Sequence, residues 1–272
     1  MSSIQPLSEN FPDFSPLKEM AQNIQKAIRP VAEMAATIQA FLQSFSSAIA
    51  KFQPKIADIV AGLKDTSRLF VVVEKLGNAQ FVQWDYPSKE YVEAIFSTNN
   101  VNKTLRNLLV KDKFQTVNTT IGKCKANPYL RKYTRLFEQS VTAFTLGQND
   151  LAVIGFTSIF DGLLSDISGN STHQLGPRLK IIENKLEKED VLDNNECAIL
   201  ILSITFQKTI ATFASPAPFS GNEPKGLNRH WIAHGRSKRR KTKLDCVKLI
   251  NLIYGLLLIH ELDTTDTAPK SI

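Results

Sequence analysis

Residues 243–262 read Lys243-Leu-Asp-Cys-Val-Lys-Leu-Ile-Asn-Leu-Ile-Tyr-Gly-Leu-Leu-Leu-Ile-His-Glu-Leu262, and this stretch decides the fold. Leucine, isoleucine and valine recur at helical spacing over its whole length, which predicts a helix with extensive burial. The longest apolar run, 249–259, is too short to span a bilayer and lies between charged or polar residues. The stretch therefore indicates a core helix of a protein that does not enter a membrane.

Helical patterns also dominate the residues before this stretch. Segment 69–73 is compatible with a strand or with a helix, and 91–113 has helical spacing. Turn residues after 147 predict that Asn149 or Asp150 caps a new helix. The predicted helices span 133–148, 151–167, 177–189 and 194–213. These patterns predict an all-α fold.

The first part of the chain predicts a long helical region. Apolar residues alternate in threes and fours over 31–59, and Pro54 is expected to kink or break this helix. The segment is compatible with a core helix pair or with a dimer or partner surface. Turn residues in 114–129 place a domain boundary there, giving an N-terminal helical region over 1–125 and a second domain over 126–272, with a disordered tail after about 263.

Composition limits the function classes. Hydrophobic residues make up 43% and charged residues 22%, as in ordinary soluble globular proteins. The net charge of +7 favours an anionic partner such as nucleic acid. The cysteines at 124, 197 and 246 lack the spacing of a zinc site or a disulfide framework, and the first 16 residues do not resemble a signal peptide. We therefore predict a cytoplasmic protein.

The residues that precede the last helix carry the candidate chemistry. They read Leu227-Asn-Arg-His-Trp-Ile-Ala-His-Gly-Arg236. Asn228 is a good helix N-cap and Gly235 a good helix stop, so Arg229 to His234 is predicted to be a short helix. On it, His230 and His234 share a face, whereas Arg229 lies about 140° away from His234.

The arginine, the polar residue after it and the histidine five positions on resemble the R-x4-6-H motif of HEPN-domain ribonucleases. The resemblance extends over about 130–262, because an earlier Asp-Gly-Leu-Leu helix at 161–164 and the apolar last helix also match. It implies a HEPN-like helical bundle that forms a homodimer with two motifs at one cleft. It also implies metal-independent RNA cleavage without a cofactor, as in bacterial toxin and antiphage systems, where an antitoxin or regulatory protein is a further expected partner.

Residue types agree with the implied chemistry. His234 has the titration range of a general acid or base at neutral pH, and Arg229 is always charged and suits a phosphorane-like transition state. By the resemblance, His230 occupies the variable polar position and orients RNA or shares in proton transfer. Asn228 caps the helix or donates a hydrogen bond, and Asp161 holds the arginine.

A basic run follows the motif directly, with six cationic residues in eight positions. Such runs are often only solvated, but this position favours contact with the RNA backbone. The predicted RNA-binding residues are Arg236, Lys238, Arg239, Arg240, Lys241 and Lys243.

Two other functions remain open at this point. The chain is also compatible with a non-catalytic HEPN-like module that binds RNA or a protein, with the helical stripe of 31–63 as its surface. A metal hydrolase would use His230 and His234 as ligands, but it would need His173 or His260 from elsewhere and lacks the glutamate of a His-Glu-x-x-His motif. We expect no metal.

Overall fold

The computed structural model describes residues 64–168, 194–215 and 217–265. These residues form helices and connecting loops without a strand, which confirms the predicted all-α class. In chain order the helices are α1 (Lys64–Asn78), α2 (Lys89–Phe96), α3 (Val101–Lys111), α4 (Gln115–Ala126), a 3-10 helix (Pro128–Tyr133), α5 (Thr134–Thr145), α6 (Asn149–Ser168), α7 (Asn194–Phe213), α8 (Arg229–Ala233) and α9 (Lys243–Thr265).

Several helix bounds agree closely with the sequence pattern. Helix α7 has the predicted bounds, and α9 begins at the predicted residue. Segment 69–73 is helical and lies within α1, while 91–113 is divided between α2 and α3. Helix α9 continues to Thr265, so the first residues of the tail predicted after about 263 are helical. The apolar stripe of 31–63, the predicted helix 177–189 and the rest of the tail lie outside the described residues.

Helix α9 is the central element of the described core. It packs against α6, α4 and α7, and its residues from Leu249 to Leu257 are all buried. A helix that is apolar on all faces is stable only when neighbours cover every face, so α9 requires this surrounding layer. None of the described helices has the length and apolar character needed to cross a membrane.

Helices α5 and α6 form a hairpin whose close approach depends on glycine. A Cβ atom added at Gly155 would lie 2.0 Å from the Ser140 Oγ, and one at Gly162 would lie 2.5 Å from the Tyr133 ring. Larger residues at these positions would force the two helices apart. This packing sets the position of Asp161, which precedes Gly162.

The connector between α1 and α2 docks on the last helix. The Asn251 amide donates to the Val82 carbonyl at 3.2 Å, and the Trp84 ring lies edge-on to Tyr254 at a centroid distance of 5.2 Å. The Lys123 ammonium lies 4.1 Å from the centre of the Trp84 ring. The irregular aromatic connector predicted over 81–87 is confirmed in this segment.

The predicted domain boundary falls at the end of α4. Most of the 114–129 segment is helical, and buried side chains on both sides of it, such as Val72, Ile95 and Phe156, belong to one hydrophobic core. The division of the whole chain into two domains stays a prediction.

Candidate active site

The short helix α8 carries the arginine and the histidines, and its ends form as the sequence predicts. The Asn228 Oδ1 accepts from the Trp231 backbone N–H at 3.2 Å, which caps the first turn. His234 is the last residue of the turn, and Gly235 follows with φ 62°, a left-handed conformation that costs glycine little. Helix α8 packs against α6.

A buried glutamine from the other end of the fold holds the residue before the cap. The Gln80 side chain donates to the Leu227 carbonyl at 2.8 Å and accepts from the Leu227 backbone N–H at 2.6 Å. It also donates to Thr212 Oγ1 at 3.0 Å. One amide side chain thus satisfies both backbone groups of Leu227, which fixes the direction in which the chain enters α8.

The proline-rich loop after α7 folds back over α8. Asn228 Nδ2 donates to the Ser215 carbonyl at 3.0 Å, and the indole nitrogen of Trp231 donates to the Ala217 carbonyl at 3.1 Å. Asn228 and Trp231 are both buried, so they attach the loop to the helix rather than face solvent.

This loop places Phe219 among the candidate catalytic groups. Its ring stacks on His230 with a centroid distance of 4.4 Å and an interplanar angle of 5°, and it lies edge-on to His234 at 5.5 Å. The guanidinium carbon of Arg236 lies 5.2 Å from the centre of the same ring. Phe219 therefore brings together groups from α8 and from the basic run.

The two imidazoles are neighbours and are open to solvent. Their ring centroids lie 4.7 Å apart, and both side chains are exposed. The ring nitrogens of His230 and His234 make no hydrogen bond to a residue that the structure describes. Partial burial and the positive charges of His234 and Arg229 lower the pKa of His230. His230 is therefore mostly neutral at pH 7 and available as a proton acceptor.

Arg229 contacts Asp161 on α6. The shortest distance joins Arg229 Nε and Asp161 Oδ1, at 3.2 Å, and each side chain is 30% exposed. Within the described residues, Asp161 Oδ1 has no aligned hydrogen-bond donor, so the contact is an electrostatic one. Burial raises the pKa of Asp161 to about 6, and the nearby guanidinium only partly opposes this shift.

The basic run is folded around a glutamate. Glu223 Oε2 accepts from the backbone N–H groups of Lys238 at 2.8 Å and of Arg239 at 3.2 Å, and Oε1 accepts from the Ser237 hydroxyl. The Lys241 ammonium lies 3.8 Å from Oε1. Burial by itself would raise the pKa of Glu223, but these hydrogen bonds outweigh it and lower the pKa.

The six cations of the run therefore differ in availability. Arg239 is bonded to Asp245 at 2.9 and 3.3 Å, and Lys241 is buried beside Glu223. These two neutralise carboxylates of their own chain. The other four are exposed to solvent and have no salt bridge with a described residue: Arg236, Lys238, Arg240 and Lys243.

The described residues contain no group of three or more histidine, cysteine or carboxylate side chains that could hold a metal ion. His260 stacks edge-on with Tyr129 at 4.2 Å, in a contact that does not involve the two histidines of α8. His173 lies outside the described residues. Cys124 and Cys246 are buried, Cys197 is partly buried, and these three cysteines are not joined by a disulfide.

Comparison with known proteins adds no relative: no family model, curated protein or solved structure matches the chain. The functional interpretation therefore depends on the site itself.

Three residues of the site were missed by the sequence reasoning, namely Gln80, Phe219 and Glu223. Each lies in a connector between helices, and each contacts residues that are 11 or more positions away along the chain. The one sequence signal was Phe219, a large aromatic residue in a loop of prolines, glycines and serines, where an apolar side chain needs a packing partner.

Proposed function

We propose that this chain is a metal-independent endoribonuclease of the HEPN type. The observation that carries the proposal is the solvent-exposed histidine pair on α8, with Arg229 at the start of the same short helix and in contact with Asp161. The positive charge of Arg229 acts on His230, so a guanidinium and two imidazoles are held on one short segment. Basic residues next to that surface supply attraction for a polyanion.

The reaction needs only groups of these types and the RNA itself. The 2′-hydroxyl oxygen of a nucleotide attacks the adjacent phosphorus while a neutral imidazole takes its proton. The bond from phosphorus to the 5′-oxygen breaks, and a protonated imidazole gives that oxygen a proton. The products are a 2′,3′-cyclic phosphate and a 5′-hydroxyl end.

Each residue has a distinct role in this scheme. His234 transfers the proton as general base or acid, and the neutral His230 orients the nucleotide or shares the transfer. Arg229 stabilises the negative charge that develops on the phosphoryl oxygens. Asp161 is a positioning residue that acts through Arg229. Asn228 caps α8, the helix that holds Arg229, His230 and His234 in place.

We further propose that the RNA backbone follows the four exposed cations of the basic run. Arg236 links this run to the histidines, because it contacts the same Phe219 ring as they do. Arg239 and Lys241 instead maintain the loop that presents the others. Binding should therefore weaken as salt rises, with a slope set by about four phosphate contacts.

Exposed apolar side chains on α6 would suit the interface of a homodimer. Leu151 and Ile154 are 61% and 49% exposed. Ile154 lies seven positions before Asp161, on the same helical stripe, and Leu151 lies three positions before Ile154. Leu136 on α5 adds to this apolar patch. Pairing of the patch with its copy would bury it and bring two Arg229–His234 sites together.

In a cell, an unregulated ribonuclease of this kind would act as a toxin or an antiphage effector in the cytoplasm. An antitoxin or regulatory protein would then be expected to cover the histidines or separate the protomers.

The test is cleavage of single-stranded RNA by the purified full chain in EDTA, with analysis of the RNA ends. We expect 2′,3′-cyclic phosphate ends and a loss of cleavage in His234→Ala and in Arg229→Ala. Arg135→Ala, an exposed arginine on α5, is the matched control and should cut normally. Cleavage that survives both site substitutions would remove the assignment, as would a strict metal requirement.

A second function is a non-catalytic HEPN-like module that binds a protein partner or RNA. The exposed apolar patch of Leu136, Leu151 and Ile154 favours it, because such surfaces mark interaction sites. Tight binding without RNA cleavage, unaffected by His234→Ala and lost in Ile154→Asp, would support this alternative over the ribonuclease.

A further inference from the structure

A cavity of about 390 Å³ borders the segment that leads into α8. It opens between the C-terminal end of α1, helix α3 and the first turns of α9. Neither the two histidines nor Arg229 lines it. Its charged lining residues are Arg106, Lys225, Arg239, Asp245 and Lys248.

The lining is strongly cationic. Four of these five side chains are basic and one is acidic, a surplus of three positive charges. The single carboxylate is already committed, because the oxygens of Asp245 accept from the Thr242 backbone and hydroxyl at 2.8 Å each and from the Arg239 guanidinium. Asp245 therefore has little capacity left to neutralise the other cations.

Lys248 is the most informative residue in this cavity. It is only 6% exposed, and no hydrogen bond or ion pair joins its ammonium to a described residue, although the nitrogen itself keeps contact with the solvent in the cavity. Burial lowers the pKa of Lys248 to about 8, against the opposing effect of Asp245. The group is thus mostly charged at pH 7. The charges of Arg239 and Arg106 also act on it, so cations outnumber the single carboxylate around the ammonium and an added anion would be favoured there.

We propose that this cavity binds the phosphate group of a phosphorylated small molecule, with Lys248 as the inner contact and Arg106 and Lys225 at the rim. A phosphate dianion supplies several acceptor oxygens and the missing negative charge. The volume lies in the range of small-molecule pockets, so it holds more than the phosphate alone. The amides of Asn78 and Asn102, which also line the cavity, are suited to the neutral part of the ligand.

The site is separate from the proposed ribonuclease site, but the two share supporting segments. Lys225 and Gly226 line the cavity and are followed by Leu227 and by Asn228, the N-cap of α8. Arg239 lines the cavity and belongs to the basic run. A ligand held here would therefore also hold the two segments that flank the histidines.

Thermal unfolding of the full chain tests the proposal, with potassium phosphate compared with potassium chloride at equal ionic strength. We expect saturating phosphate to raise Tm by about 5 °C or more. Adenosine monophosphate should act at lower concentration than inorganic phosphate, while adenosine should have no effect. Lys248→Met should abolish the shift, and Arg106→Gln should weaken phosphate binding about tenfold.

Lys103→Met is the matched control, because Lys103 is an exposed lysine on α3 that does not line the cavity. It should keep the full phosphate shift. If Lys248→Met fails to fold, the exposed Arg106 decides, and unchanged affinity in Arg106→Gln overturns the proposal. A shift of equal size with chloride, or one that persists in Lys248→Met, also overturns it.

Short RNA oligonucleotides with a 5′-phosphate or a 5′-hydroxyl distinguish the source of the phosphate. Stronger competition by the 5′-phosphorylated RNA than by adenosine monophosphate would overturn the small-molecule assignment in favour of an RNA end. Arg229→Ala and His234→Ala should retain the phosphate shift even though they abolish RNA cleavage. Failure of the ribonuclease proposal and failure of this one are thus separate results.

Discussion

Two arginine–aspartate pairs flank the same histidine-bearing turn, and they are built differently. In the pair of Arg239 and Asp245 the carboxylate is saturated: both guanidinium terminal nitrogens and two groups of Thr242 donate to it, and Arg239 Nε alone has no partner among the described residues. The pair of Arg229 and Asp161 has one short approach, 3.2 Å through Nε, and no aligned hydrogen bond among the described residues.

The carboxylates show the consequence. Burial would raise the pKa of Asp245, but its hydrogen bonds from Arg239 and Thr242 outweigh burial and lower it. Burial raises the pKa of Asp161 to about 6, because a single cation compensates for it only in part. A saturated pair stabilises the loop that it closes. The unsaturated pair leaves the terminal nitrogens of Arg229 open to a phosphate, at some cost in stability.

The largest expected effect is on the saturated pair. Asp245→Ala should lower the free energy of unfolding by about 3–5 kcal/mol, because it leaves the mostly buried Arg239 without its partner and removes one half of the reciprocal capping pair that Asp245 forms with Thr242 at the start of α9. Urea denaturation at neutral pH measures this loss. Asp161→Ala serves as the comparison and should cost much less, so equal losses in the two variants would contradict the distinction.

For RNA cleavage, we expect the larger effect at the pair of Arg229 and Asp161. Arg229→Ala should reduce the cleavage rate by about 10²–10³-fold, the usual effect of removing a group that stabilises developing charge. Its Tm should stay within about 2 °C of the original protein, because the pair it breaks has one electrostatic contact and no aligned hydrogen bond among the described residues. A single-turnover assay with a labelled RNA gives the rate. A large fall in Tm with little change in rate would place Arg229 in the structural class instead.

The two aspartates should also give pH dependences of opposite sign. The folded-state pKa of Asp161 is raised from 3.8 to about 6, so the folded protein binds more protons in that window and loses stability as pH rises through it, by at most about 3 kcal/mol. The lowered pKa of Asp245 gives stability that is present above its unfolded value and lost as pH falls.

Urea denaturation between about pH 4 and pH 7 tests the sign for Asp161. The wild-type protein should lose stability relative to Asp161→Asn as pH rises through this range. Extending the series below about pH 4 tests Asp245, because there the wild-type protein should lose stability relative to Asp245→Asn as pH falls. Parallel curves for the two variants would show that the two carboxylates have similar environments.

The smallest effect is expected at Phe219, whose ring contacts both α8 and the basic run. Phe219→Leu keeps an apolar side chain but loses the stacking on His230, which is worth about 0.5–1.5 kcal/mol. We expect cleavage to fall by at most about tenfold, with a change in the pH profile as His230 gains solvent. Phe96→Leu is the control, because the Phe96 ring contacts Arg68 and Lys75, which have no place in the proposed site. An unchanged pH profile in Phe219→Leu would show that the ring only covers the helix.

Most of the described helices were predictable because their signals are local. Helical spacing, the Asn228 cap and the Gly235 stop act within a few residues, so the sequence pattern indicates α7, α8 and the start of α9 directly. The turn residues of 114–129 did not indicate that α4 forms there and packs against α9, and the domain boundary placed in this segment stays a prediction. There tertiary packing overrides weak local preference.

The sequence by itself determined the helical class, the short turn that carries Arg229 and His234, and the basic run after it. Only the tertiary structure decided which charges remain available, because the partners come from elsewhere in the chain: Asp161 lies on α6, and Gln80 reaches the motif from the end of α1. Local spacing fixes which residues form a turn, whereas the burial of a charge and the atom that meets it depend on how separate helices pack.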